Sequence, residues 1–110
     1  MNDYFKAKAN IFRWQKKGDY AIFNFQTKGK KIYFKKSELP SKLIGEHNKE
    51  NVAAAVEATR LAGVKPEIIK KAVALFKGLE HRLELVREFN GVKYYDDSFA
   101  TLPEATITAL

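Results

Sequence analysis

Cysteine is absent from the 110 residues, which excludes a disulfide framework and a thiolate metal site and accords with a reducing cytoplasm. Long apolar runs are absent as well. No stretch approaches the roughly 20 apolar residues of a spanning helix, and none has the order of a signal peptide, so neither a membrane nor secretion is expected. Histidine is scarce: His47 and His81 have no partners at zinc-ligand spacing. The compact phosphate and hydrolase motifs are missing too. Gly29-Lys30 is followed by Lys31 instead of Ser or Thr and has no earlier Gly at Walker A spacing, and there is no GxGxxG, HExxH or nucleophile elbow. Chemistry must come from a constellation that the fold assembles, or from parts outside these residues.

What is present is the material of one small domain, or of a piece of a larger one. Apolar residues make up 45%, with eight Phe, five Tyr and one Trp, enough for a modest core. The net charge of +7 is uneven: residues 1–42 hold eleven Lys or Arg against three acids, and residues 43–110 hold nine against ten. A basic half attracts phosphorylated ligands or nucleic acid in principle. Here the bases are mostly Lys, and no nucleic-acid motif accompanies them, so a solvated surface is the expected reading and nucleic acid is not the expected partner.

In chain order, residues 3–16 place Tyr4, Ala7, Lys8, Ile11 and Phe12 near helical spacing, with Asp3 as cap and Gly18 as terminator. Lys8 stands among the apolar positions. It either carries its amine to solvent along an apolar stem or turns it toward a site. Tyr20 to Phe25 reads as a strand buried on both faces, Lys28-Gly29-Lys30 as a turn, and Lys31 to Lys35 as a second strand. The two form a hairpin or lie in a larger sheet. An Ala-rich helix follows at about 48–62 with Gly63 as its left-handed cap, then a helix from Pro66 to about 77, the two making a helical hairpin. Asn48 and Asn51 lie in the first turn of the Ala-rich helix. One is an ordinary N-cap, or both carboxamides read the edge of a base. Leu83 to Phe89 and Val92 to Tyr95 read as strands joined by an Asn90-Gly91 type I′ turn. A helix begins at Pro103, capped by Thr101, and its apolar face running to Leu110 is expected to want a partner.

Four successions taken together resemble the Mur ligases: Ala7-Lys8-Ala9-Asn10-Ile11-Phe12, Gly45-Glu46-His47-Asn48-Lys49-Glu50-Asn51-Val52-Ala53-Ala54-Ala55, Phe76-Lys77-Gly78-Leu79-Glu80-His81-Arg82-Leu83-Glu84, and Asp96-Asp97-Ser98-Phe99-Ala100-Thr101. Their order covers almost the whole chain. The Asp-Ser-x-Ala-Thr ending resembles the D-glutamate-adding branch, and it argues against other Mur-type ligases and the folylpolyglutamate synthases. A non-catalytic basic module for nucleotides or nucleic acid is the remaining alternative.

The resemblance implies an α/β fold. Residues 1–79 would be the latter part of a central ATP-binding domain, and residues 80–110 the hinge and start of a Rossmann-like C-terminal domain. It implies a cytoplasmic enzyme of peptidoglycan synthesis that uses ATP and Mg2+ to join D-glutamate to UDP-N-acetylmuramoyl-L-alanine through an acyl phosphate. Lys8 and His81 would belong to the catalytic groups, Lys8 as a carbamate that helps hold the metal and His81 in a positioning role. Asn48 and Asn51 would lie near the adenine, Arg82 and Asp97 at the ribose and phosphates, and Ser98 and Thr101 toward the amino-acid substrate. Three departures stand out. Phe99 occupies a position where the pattern has Lys. The family's Walker A loop and remaining metal ligands are missing, so the chain alone is expected to need the remainder of a ligase chain for catalysis. The connection between Phe25 and Gly45 also looks short.

Overall fold

Eight elements follow one another in the computed structural model, which describes residues 2–22 and 30–109: α1 (Asn2–Arg13), β1 (Tyr20–Ile22), β2 (Lys30–Ile32), α2 (Glu46–Leu61), α3 (Pro66–Leu75), β3 (Glu84–Phe89), β4 (Val92–Asp96) and α4 (Pro103–Ala109). The chain is mixed α/β with few strands. None of the described helices is long and apolar enough to cross a membrane.

Helix α1 stops at Arg13, before the expected 16, and Asp3 lies inside its first turn rather than at the cap. The carboxylate of Asp19 supplies the reason. It accepts the Lys16 amide at 2.8 Å while the Asp19 amide returns to the Lys16 carbonyl at 3.0 Å, a local turn that competes with another helical turn.

Strands β1 and β2 pair in parallel, Tyr20 opposite Lys30 and Ile22 opposite Ile32, which rules out the hairpin. Only seven residues of sequence join them, whereas parallel neighbours are ordinarily linked by a crossover of about a dozen or more. Residues 23–25 of the expected first strand and Lys28-Gly29 of the expected turn lie outside the described residues. The strand is not buried on both faces. Ala21 is buried, and α2 packs against β1, while Tyr20 is 50% exposed.

Helix α2 begins two residues before the expected start. Its N-cap is Gly45 at φ +96° with no side-chain cap, so neither Asn48 nor Asn51 caps it. The positive φ calls for glycine here, and the His47 ring, 2.7 Å from where a Cβ would stand, would have to shift for any other residue. At the other end, the Gly63 amide bonds the Arg60 carbonyl and the Val64 amide the Thr59 carbonyl, the paired closure expected of this cap. Pro66 then opens α3 at its first position. The two helices pack together, and among the described residues the buried apolar side chains are Ala21, Val52, Ala53 and Ile69.

Strands β3 and β4 form the expected antiparallel hairpin, with Asn90 at φ +50° and Gly91 at +78° as a type I′ turn demands. The register shifts between Leu85 and Arg87, so Val86 is bulged out. Helix α4 follows, and the residue directly ahead of it is Leu102 in place of the expected cap Thr101.

The molecule measures 56 × 39 × 20 Å with a radius of gyration of 16.6 Å, against about 13 Å for a compact domain of this length. Its accessible surface is 9520 Å², where a folded monomer of this mass exposes roughly 6,200 Å². The surplus is substantially apolar: Ile68, Leu75, Leu79, Val86, Phe89 and Ile107 are all exposed.

Candidate functional site

Between the start of α2, the end of α3 and the turn after β4 lies a cleft of about 590 Å³, in the range of small-molecule sites. Four residues singled out in the sequence line it: Asn48 and Asn51 from α2, Arg82 from the connection ahead of β3, and Asp97 just beyond β4. Leu43, Phe76, Leu79 and Leu83 give it apolar walls, and Phe99 stands on its rim, 67% exposed.

Three of the four polar side chains, Asn48, Asn51 and Asp97, are held by local bonding. The Asn48 amide nitrogen donates to the Ile44 carbonyl at 2.7 Å, and Asn51 donates to the Asn48 side-chain oxygen at 3.0 Å. The chain thus fixes both carboxamides in one orientation on one face of α2. Asp97 Oδ1 accepts the Leu83 amide at 3.0 Å. Leu83 sits at φ +47° and His81 at φ +61°. A left-handed conformation is strained for leucine and persists where surrounding bonds determine it.

Those bonds are numerous. His81 Nδ1 lies 2.8 Å from Asp96 Oδ2, and the His81 amide donates to Glu84 Oε2 at 2.8 Å. The Phe99 amide donates to the His81 carbonyl at 3.1 Å, and the Ser98 amide to Asp96 Oδ1 at 2.9 Å. The hydrogen bond to Asp96, reinforced by its charge and by Glu84 and Glu80, raises the His81 pKa. The same bond, helped by the Ser98 amide, lowers Asp96 to about 2. The sequence offered Asp96 only as half of an Asp96-Asp97 pair able to bind a cation or simply be solvated, and gave Glu84 no role. Their only signal was adjacency: Asp96 precedes Asp97 and Glu84 lies three residues after His81.

The remaining sequence-derived residues stand apart from the cleft lining. Lys8 is exposed on α1, Ser98 and Thr101 are exposed in the stretch before α4, and the His81 ring is turned to Asp96. The cleft brings two carboxamides, a guanidinium and a carboxylate together beside apolar surface, groups able to hydrogen-bond a heterocycle, hydroxyls or an anion. It does not by itself suit magnesium, which takes near-octahedral oxygen ligation. Asp97 is the one carboxylate among its lining residues, and that group already holds the Leu83 amide. His81, Glu84 and Asp96 bring one ligand atom each within 4.8 Å of one another, but they are occupied with one another and with backbone.

No family model matches the chain. Curated proteins do. A UDP-N-acetylmuramoylalanine--D-glutamate ligase of Natranaerobius thermophilus is 33% identical over 147 residues, covering all of this chain and 32% of that protein. The enzyme of the same name from Lawsonia intracellularis is 40% identical over 121 residues, again across the whole chain and 28% of its own length. That from Lachnospira eligens is 50% identical over 68 residues, 62% of this chain and 15% of that protein. The chain thus spans about a third or less of the relatives it matches. The first two alignments exceed its 110 residues by 37 and 11 positions, so those relatives carry residues that this chain lacks. From end to end, the chain is homologous to one segment of the proteins named UDP-N-acetylmuramoylalanine--D-glutamate ligase.

Proposed function

We propose that this chain is the adenine- and ribose-recognising portion of an ATP-dependent ligase that adds D-glutamate to UDP-N-acetylmuramoyl-L-alanine. Residues 1–79 are the later part of its central domain, and residues 80–110 the hinge and the opening of its C-terminal domain. The observation that carries this reading is the convergence of Asn48, Asn51, Arg82 and Asp97, from three separate stretches, on one cleft. In such a ligase ATP supplies the phosphoryl group that activates the muramoyl-L-alanine carboxylate, and the amine of D-glutamate then forms the amide with release of phosphate. The residues present contribute binding and orientation, which is much of what phosphoryl-transfer enzymes do. The Asn48–Asn51 pair faces the base, Asp97 accepts from ribose hydroxyls, and Arg82 bonds phosphate oxygens. Ser98 and Thr101 lie toward D-glutamate. Lys8, as a carbamate, is one oxygen ligand of magnesium, whose other ligands are not among the cleft residues. With no phosphate-cradling loop in its sequence, the chain binds nucleotide without ligating.

Titration with ATP and magnesium, followed by amide NMR shifts, tests this. Shifts are expected at Asn48, Asn51, Arg82 and Asp97. Arg82→Ala should weaken ATP by roughly tenfold or more, the worth of a hydrogen bond to a charged group, and leave adenosine unaffected. Shifts confined to the Lys-rich residues before Pro40, and erased by salt, would reject the reading.

Phe99 offers a second measurement on the same cleft. Phe99→Lys restores a cation at the rim and is expected to tighten ATP roughly two- to fivefold at low salt, an exposed-pair effect. Adenosine binding should not change. Equal affinity of the variant and the parent chain for ATP at low salt would separate this position from the phosphates.

A further inference from the structure

We propose that the His81–Asp96 pair is a clasp that positions the nucleotide cleft, holding residues 81–84 against residues 96–99 so that Arg82 and Asp97 face one ligand together. This rests on the nucleotide reading of the cleft. Each clasp residue immediately precedes a cleft residue in sequence, so locking the first pair fixes the spacing of the second. The side-chain bond at 2.8 Å is joined by the Phe99 amide to the His81 carbonyl, the Leu83 amide to Asp97 and the Ser98 amide to Asp96. Three of these bonds cross between the two segments, and the Ser98 amide orients Asp96 from its own side. They also account for two non-glycine residues, His81 and Leu83, standing in left-handed backbone on one side of the crossing. His81 is not among the residues that line the cleft, and its ring bonds Asp96, so its part is positioning and not contact.

The clasp gives the cleft a pH dependence of definite sign. The charged groups facing His81 are Asp96 on β4, Glu84 at the head of β3 and Glu80 before it. All are acids and favour the imidazolium. A raised His81 pKa means that the attraction is fully present below the ordinary histidine value near 6.5 and fades as pH rises through the folded value. Asp96, lowered from 3.8 to about 2, contributes fully above 3.8 and is lost as pH falls toward 2. The clasp is therefore tightest between those limits, at about pH 4 to 6.5. Above that window a neutral imidazole can still donate Nδ1–H, and the pair loosens without parting.

The test compares ATP–magnesium affinity of the full 110-residue chain and Asp96→Asn across pH 5 to 9. Asparagine keeps an acceptor for the Ser98 amide and removes the charge. The wild-type-to-variant ratio cancels the titration of the nucleotide itself. A ratio of roughly three to five at pH 6, falling below about two at pH 9, is expected for an exposed pair. The amides of Arg82 and Asp97 should shift in the ligand-free variant while those of Val52 and Ile69 stay in place. His81→Asn, whose side chain tolerates left-handed backbone, should give the same pH-dependent ratio and serves if Asp96→Asn fails to fold. A ratio near one at every pH, with ATP still bound, overturns the clasp and leaves the nucleotide reading standing. Absence of ATP binding by the wild-type chain overturns both.

Discussion

Ile69→Ala should remove the cooperative thermal transition of this chain or lower its midpoint by at least about 10 °C. Ile69 is one of four buried apolar residues among those described, with Ala21, Val52 and Ala53, and it is the largest of them. It fills the seam where α3 meets the alanine-rich face of α2, and apolar grooves flank it on both sides. Truncating such a residue costs roughly 2–5 kcal/mol, and each kcal/mol is worth about 4–8 °C in a small domain. The core has little else to fall back on. Circular dichroism at 222 nm reads the result directly, with Ile69→Val as a milder control at roughly 0.5–1.5 kcal/mol. An unchanged midpoint in the alanine variant would mean that the α2–α3 seam is not what holds the molecule together.

Asp97→Ala is expected to have the largest effect on ligand binding, roughly a hundredfold loss of ATP affinity. Two functions are lost at once. The cleft loses the acceptor proposed for the ribose, and the Leu83 amide loses its partner in a backbone conformation that leucine adopts only under constraint. A stranded donor costs roughly 1–3 kcal/mol on its own. Asp97→Asn separates the contributions: it retains an oxygen for Leu83, loses the charge, and should fall between wild type and Asp97→Ala. If both variants bind ATP like the parent chain, Asp97 belongs to the architecture of the crossing alone.

The local grammar of the chain is legible in its residues. Asn90-Gly91 announces a type I′ hairpin because two left-handed residues in succession suit few other pairs. Pro66 and Gly63 bracket the helical connection for reasons of backbone geometry that act within a few residues. Motif order also points to the cleft residues Asn48, Asn51, Arg82 and Asp97. What escapes a reading of the sequence lies in long-range or competing interactions. Nothing local says that β1 and β2 run parallel, and seven residues of link argue against it. The early end of α1 depends on Asp19 bonding backward to Lys16. The bulge at Val86 is a property of two strands and cannot be read from one. The bond between His81 and Asp96 spans fifteen residues, and neither residue carries a periodic signal of its own.

The large exposed surface has a thermodynamic consequence. An unfolded chain of this mass would expose roughly 18,000 Å², so the folded molecule, at 9520 Å², still leaves about half of that in water. Heat capacity of unfolding and urea sensitivity both follow the area newly exposed. Both quantities should be small here for a chain of 110 residues. Stability would then vary little with temperature, and melting would spread over a wide interval. Covering the apolar faces with further polypeptide would raise both quantities and sharpen the transition.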